Sequence, residues 1–381
     1  MNKNILKSIK INNLEFPTIS VNIIFKNENE NLKRLLPILD GAVNEVVLID
    51  TGTKGDKQFK IIEDSLKNTE YKILYNKWDN DFSKARNLAL KNSTKDYILF
   101  LDADDTINRQ DISKIKEHIS IYSNTYVYLH LIDKRINSIL HSTQLRCFPN
   151  IEGLEWRGKV HEQIIFSLKE KNLYPSFFME APIIHKGYNT GELLFNKLKR
   201  NYNILREEIK KETCNFYTYL NFARTSMSLN KISNTEFALK KANDLYNDDN
   251  LDISEEYAIL MYSIGANLLG SKGKHEKSLE LIKELEKKYS NNRDIHLLLG
   301  EIYYKLKIYD FAYSYLKLGL EKKITISTIP IDLEGTVRTL KFYLVVCSLY
   351  MSDFKTAELN LQELLKDKKY KIQGDNKIGR N

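Results

Sequence analysis

Tyr97-Ile98-Leu99-Phe100-Leu101-Asp102-Ala103-Asp104-Asp105 is an apolar run of strand length that stops in three carboxylates. An uninterrupted apolar run reads as a strand buried on both faces, the kind found inside a parallel sheet. Outward from it the same pattern recurs. Ile19-Ser20-Val21-Asn22-Ile23-Ile24-Phe25 reads as the first strand, with a helix over Glu28 to Leu39. Glu45-Val46-Val47-Leu48-Ile49 is the second, followed by a glycine-containing turn and a helix near Lys57 to Lys67. Tyr71-Lys72-Ile73-Leu74-Tyr75 is the third, Phe82 to Leu90 a helix, and Tyr97 to Leu101 the fourth strand. Strand–helix alternation predicts a doubly wound, mostly parallel sheet. Such sheets bind ligands beyond the carboxyl ends of their strands, which is where the three acids fall.

From about residue 192 the pattern is helical throughout. Gly300, Tyr303 and Ala312 fit the spacing of a tetratricopeptide (TPR) helix pair. Weaker copies centre on Ala238, Ser278 and Ala357, so successive centres lie 40, 34 and 45 residues apart. An ordinary helical bundle is the alternative to a repeat. A chain of 381 residues is long enough for two cores. The expected fold is therefore α/β, a Rossmann-like domain with a mostly parallel sheet, plus an all-α helical-repeat (TPR-like) C-terminal domain. The boundaries are 1–16 for an N-terminal extension with no readable motif, 17–192 for the α/β domain and 193–381 for the helices.

Composition removes several classes of function. Hydrophobic residues make up 42% and charged residues 28%, which is globular and not disordered. The net charge of +8 is carried by dispersed lysines, with no basic block interleaved with aromatics, so nucleic acid is not an expected partner. Cys147, Cys214 and Cys347 are odd in number and lack CxxC pairing, which argues against a disulfide framework or a cysteine zinc site. The N-terminus has no apolar signal core, and no run approaches the roughly 18 apolar residues of a membrane span, Phe342 to Tyr350 being the longest. A cytoplasmic protein without a membrane span is expected.

The carboxylates after the fourth strand carry the chemistry. Two acids at i and i+2 facing a crevice can hold one hard cation, and the cation can bridge the phosphates of a nucleotide donor. The ordinary alternative is a solvated helix cap. Asp50 also stands at a strand end, in Ile49-Asp50-Thr51-Gly52-Thr53, where a carboxylate can accept the imide N–H of uracil; a turn-forming Asp ahead of Gly52 is the plainer reading. Arg86, within Trp78 to Asn87, can reach phosphate or ribose with its guanidinium fork, or else form a surface ion pair. Trp156-Arg157-Gly158-Lys159-Val160-His161-Glu162-Gln163 offers Glu162 as a general base, its proton affinity raised if it lies in a dry cleft, with His161 beside it as the other candidate. In Ile184-His185-Lys186-Gly187-Tyr188-Asn189, His185 can supplement carboxylates on manganese. Either histidine can equally be a structural, hydrogen-bonded residue.

Taken together, Ile24 to Glu30, Ile49 to Thr53, Trp78 to Asn87 and Leu101 to Asp105 resemble the DxD-containing family 2 glycosyltransferases. That resemblance implies that Asp50 binds uracil, Asp102 contacts ribose and Asp104 ligates Mn2+ or Mg2+, with a UDP-sugar as donor. The segments Gly158 to Glu162 and His185 to Asn189, with helices after residue 195, are similar to the sublancin-type peptide S-glycosyltransferases. This implies inverting transfer of a hexose to Cys, or to Ser or Thr, of a bacteriocin-type peptide partly bound by the helical repeats. A glycan or lipid-linked acceptor is the alternative within the class, and a binding scaffold with an inactive transferase domain the alternative outside it. The sequence is silent on the sugar, and it leaves a homodimer open.

Overall fold

The computed structural model describes residues 16–135, 138–186, 191–211, 214–247, 253–322 and 326–366. The expected extension, apart from Phe16, lies outside them, as do Gly187, Tyr188 and Asn189 of the second histidine motif. The chain divides into two compact units at Gly191 and Glu192.

In the first unit β1 (Ile19–Phe25), β2 (Glu45–Asp50), β3 (Glu70–Tyr75) and β4 (Tyr97–Asp102) pair in parallel in the order β3-β2-β1-β4. Alternation along the buried strands sorts their side chains to two faces. Val46, Leu48, Leu99 and Leu101 pack with Leu32, Leu35, Leu36 and Leu39 of α1 (Asn29–Leu39), Ile62 of α2 (Lys57–Ser65), and Ile112, Ile115 and Ile119 of α4 (Arg109–Ile121). Val47 and Ile49 face the small residues Ala85 and Ala89 of α3 (Phe82–Asn92), which lets that helix lie close to the sheet. Helices thus cover both faces, as a doubly wound sheet requires.

Beyond β4 the mostly parallel sheet takes on antiparallel pairings. It continues through β7 (Ile139–Pro149), β6 (Thr125–Lys134), β8 (Tyr174–His185) and the two-residue β5 (Asp105–Thr106), with β4–β7 and β5–β8 antiparallel and β6–β8 parallel. The sheet is therefore mixed. These strands are half-exposed and interrupted by polar side chains, so they lack the unbroken apolar run that marks β1, β2 and β4.

From Glu192 onward the described residues are helical apart from turns and a two-residue extended stretch at Ile331–Asp332. After α6 (Gly191–Glu208) the helices pair as α7 (Phe216–Ser228) with α8 (Ile232–Tyr246), α9 (Glu255–Ser271) with α10 (His275–Lys288), α11 (Arg293–Lys305) with α12 (Tyr309–Glu321), and α13 (Leu333–Tyr350) with α14 (Phe354–Lys366). Each pair turns on one left-handed residue: Asn230, Gly273, Lys307 and Ser352. At every turn two amides bond back into the ending helix in the Schellman pattern, as in Lys307 N to Tyr304 O and Ile308 N to Tyr303 O, both 3.0 Å. Five residues after the turn a small side chain is buried: Thr235, Ser278, Ala312 and Ala357. The first pair is thus keyed on Thr235 and not on Ala238, which sequence spacing selects; both are fully buried, and only the turn residue distinguishes them.

In the third pair Gly300 lies against Leu316, and Gly319 against Leu297. A β-carbon at Gly300 would fall 2.6 Å from Leu316 Cγ and 3.1 Å from its backbone nitrogen. Overpacking of this kind costs about 1–3 kcal/mol, more than the ~1 kcal/mol that alanine gains over glycine in a helix. Gly300→Ala should therefore lower stability in urea unfolding; a rise would show that the helices are free to move apart.

Candidate active site

Asp50 and Asp102 end the two strands that flank β1, Asp50 beside Phe25 and Asp102 beside Ile24, so both stand at the carboxyl edge of the sheet. Asp50 is buried, and its Oδ1 accepts from the amides of Gly52 (2.9 Å) and Thr53 (2.7 Å). The turn-forming reading of Asp50 is thus realised in the structure.

The chain then makes a tight turn through Asp102-Ala103-Asp104-Asp105, closed by the Asp102 amide donating to Asp105 Oδ2 at 2.8 Å. Asp105 starts β5, directly opposite His185 at the end of β8. Asp105 is fully buried and its Oδ1 lies 2.9 Å from His185 Nδ1, while His185 Nε2 lies 3.4 Å from Asp104 Oδ2. Arg146, on β7 and almost fully buried, reaches Asp102 Oδ2 with Nη2 (3.1 Å) and Asp105 Oδ2 with Nη1 (3.2 Å). Arg34 of α1 donates to the Asp104 carbonyl at 3.1 Å.

Arg86, on α3, is not a surface residue. Its guanidinium stacks 3.3 Å from the centre of the Phe100 ring, donates from Nε to Glu162, and places Nη2 3.6 Å from Asp102 Oδ1. Its Nη1 is buried without a hydrogen-bond partner among the described residues. The partner Glu162 sits in a short loop closed by paired backbone hydrogen bonds of 2.9 Å between Arg157 and Gln163, with Gly158 at a φ of +96°. The Phe82 amide donates to the Lys159 carbonyl (2.8 Å), and Asn87 exchanges hydrogen bonds with the Trp156 backbone, so the loop is fastened to α3 at both ends. His161, at the tip, is exposed and left-handed, with φ +56°.

Sequence-predicted residues therefore fall into one connected group, Arg86, Asp102, Asp104, Glu162 and His185, with Asp50 on the same sheet edge and His161 turned to solvent. Sequence reasoning missed Arg146 and left Asp105 without a role. The signal for Arg146 was present: a single arginine in an otherwise strand-like Gln144 to Phe148 has to be paired if it is buried. The ligand atoms of Asp102, Asp105 and His185 come within 4.8 Å of one another, so Asp105 joins the metal-ligating candidates.

The charges are unevenly neutralised. Burial would raise Asp102, but Arg146 and Arg86 outweigh it and hold the carboxyl far below the usual range. Asp104 goes the other way, pushed up to about 6 by burial and by the neighbouring Asp102 and Asp105 charges, against the opposing pull of His185. His185 is raised: burial disfavours its cation, but the Asp105 hydrogen bond and the surrounding acids favour it more.

Residues 20–178 match the glycosyl transferase family 2 model. This segment is similar to the family 2 glycosyl transferases. Over 235 residues, 60% of this chain and 54% of the relative, the chain is 29% identical to the SPbeta prophage-derived glycosyltransferase SunS of Bacillus subtilis strain 168. It is 26% identical to a TPR repeat-containing protein of Synechococcus elongatus over 180 residues, 46% of this chain and 43% of that one. The chain thus spans about half the length of these curated relatives. A solved structure, S. aureus TarS 1–349 in complex with UDP-GlcNAc, aligns with 72% of this chain and 91% of its own at 15% identity, with a TM-score of 0.42. Every residue of the acidic turn, together with Arg86, Arg146 and Glu162, lies inside the matched segment; His185 lies just beyond it.

Two outcomes follow from the charge distribution. Arg146→Met strands Asp105 and Asp102 and should cost on the order of 3 kcal/mol in chemical denaturation; an unchanged midpoint would remove Arg146 as the counter-charge. Asp104 is harder to ionise folded than unfolded, so its penalty is absent below its unfolded value near 4 and grows as pH rises through about 6. Asp104→Asn should therefore stabilise the metal-free chain by on the order of 2 kcal/mol at pH 8 and leave it unchanged at pH 4. Melting curves at the two pH values check the sign.

Proposed function

We propose that the chain is a metal-dependent, inverting hexosyltransferase that takes its sugar from a UDP donor. What carries this reading is the pairing of Asp104 Oδ2 with His185 Nε2, 3.4 Å apart, in a family 2 domain, with Asp105 fixing the opposite ring nitrogen. A histidine oriented by a carboxylate on one nitrogen, with the other nitrogen beside a second carboxylate, is the arrangement of a metal ligand with its supporting group. Among the described residues the Asp104 carboxylate has no arginine partner, unlike Asp102, which fits a donor set of carboxylate oxygens and imidazole for Mn2+ or Mg2+.

When bound, the cation would neutralise charge on the departing diphosphate. Asp104 and His185 would hold it. Asp50 and Asp102, on the strands either side of β1, would receive uracil and ribose. Arg86, with its unused Nη1, would contact the diphosphate or the ribose. Glu162 faces the same arginine and would take the proton from the acceptor, His161 beside it at the exposed loop tip being the other candidate for that role. The acceptor we infer is a cysteine, or a serine or threonine, of a bacteriocin-type peptide gripped partly by the helical pairs. This part rests on the resemblance of Gly158 to Glu162 and of the helical half to the peptide S-glycosyltransferases. Among the described residues no helix is long and apolar enough to cross a membrane.

UDP release from a panel of UDP-sugars, with and without Mn2+, tests the donor reading. Asp104→Ala should lower it at least ~100-fold while the far-ultraviolet spectrum stays native; full activity would reject the metal site. Glu162→Gln should slow transfer to serine by about 100-fold or more, yet slow transfer to cysteine much less, because a few per cent of a cysteine is already thiolate near neutral pH. Equal losses on the two acceptors would take the base role away from Glu162.

A further inference from the structure

A second group of metal-binding side chains lies outside the acidic turn. His130 of β6 and His141 of β7 face each other across neighbouring strands, Nε2 to Nδ1 at 3.0 Å, with their rings stacked at 5.2 Å between centres. Both are half-buried. Among the described residues neither ring has another hydrogen-bond partner, so neither nitrogen of the facing pair is committed there to a carboxylate or a carbonyl. Burial and the neighbouring imidazole lower the proton affinity of His130, which favours the neutral ring that binds metals.

We propose that His130 and His141 form a second metal site, selective for Zn2+ over the hard cations of the acidic turn. Zinc binds imidazole nitrogen at roughly 2.0–2.1 Å, which puts two nitrogens of a tetrahedral ion about 3.3 Å apart. The observed pair needs to open by only a few tenths of an ångström, a movement that two half-exposed rings on a hairpin can make. The ion takes the place of the proton between the rings, that proton passing through solvent to the outer nitrogen of its own ring so that both imidazoles stay neutral, and water completes the coordination. Two imidazoles without oxygen ligands suit zinc and discriminate against Mg2+ and Mn2+. Among the described residues no carboxylate meets the outer ring nitrogens, so the site is of the exchangeable kind and not a closed structural one.

The test is a titration of the full-length chain with Zn2+ against a colorimetric chelator. His130→Gln and His141→Gln should each weaken one zinc site at least tenfold, while Asp104→Asn leaves that site unchanged. Neither histidine variant should change Mn2+-supported UDP release. Identical zinc affinity in wild type and both histidine variants would reduce the pair to a plain hydrogen bond and overturn the proposal. Should either variant fail to fold, ring-nitrogen NMR of the wild type decides instead. Zinc must move the His130 Nε2 and His141 Nδ1 signals, and signals unmoved at saturating zinc would overturn the site as well.

Discussion

Three carboxylates within four residues of one turn cannot share a buried sheet edge unless cations are brought to them. Arg146 is the main solution: one guanidinium, almost fully buried, spans Asp102 and Asp105 at once. A lysine could not do this, since its single ammonium lacks the fork that addresses two carboxylates. Arg86 covers the remaining Asp102 oxygen and connects it to Glu162. What is left over is Asp104, with a neutralisable histidine and no arginine. The uneven distribution is the physical basis on which we propose a cation there, because an acidic set without one is under internal repulsion that a bound ion would remove.

The legibility of the sequence followed burial. β1, β2 and β4 lie between layers of helix, so their apolar runs are unbroken and their positions can be read almost to the residue. β6, β7 and β8 carry water on parts of their surface and polar groups within them, and no periodicity announces them. The same difference divides the site. Asp50, Asp102 and Asp104 end legible strands and are visible for that reason. Arg146 and Asp105 matter through contacts 40 to 80 residues distant, which a local pattern does not encode. Arg86 was visible as a residue but not as a buried one; its stacking on Phe100 and Trp156 depends on which face of β4 the phenylalanine takes.

In the helical unit the repeat is carried by backbone geometry more than by residue identity. Asn230, Gly273, Lys307 and Ser352 share a left-handed conformation although only one is glycine, and each is followed at the same distance by a small buried side chain. Spacing between repeats varies because the connections between pairs vary, while the turn inside each pair does not. A reader of sequence alone meets four unrelated residues at the turns, and therefore sees the repeat as irregular.

The pairing of Asp105 with His185 joins residues eighty positions apart. During synthesis, β1 to β4 leave the ribosome with their acidic turn complete but with neither Arg146 nor His185 yet made. The nascent sheet therefore carries an unbalanced anionic edge until β7 and β8 arrive and lock it. The acidic edge thus receives its partners last in this unit, and a chain stalled before β8 would lack His185 beside Asp104 and Asp105.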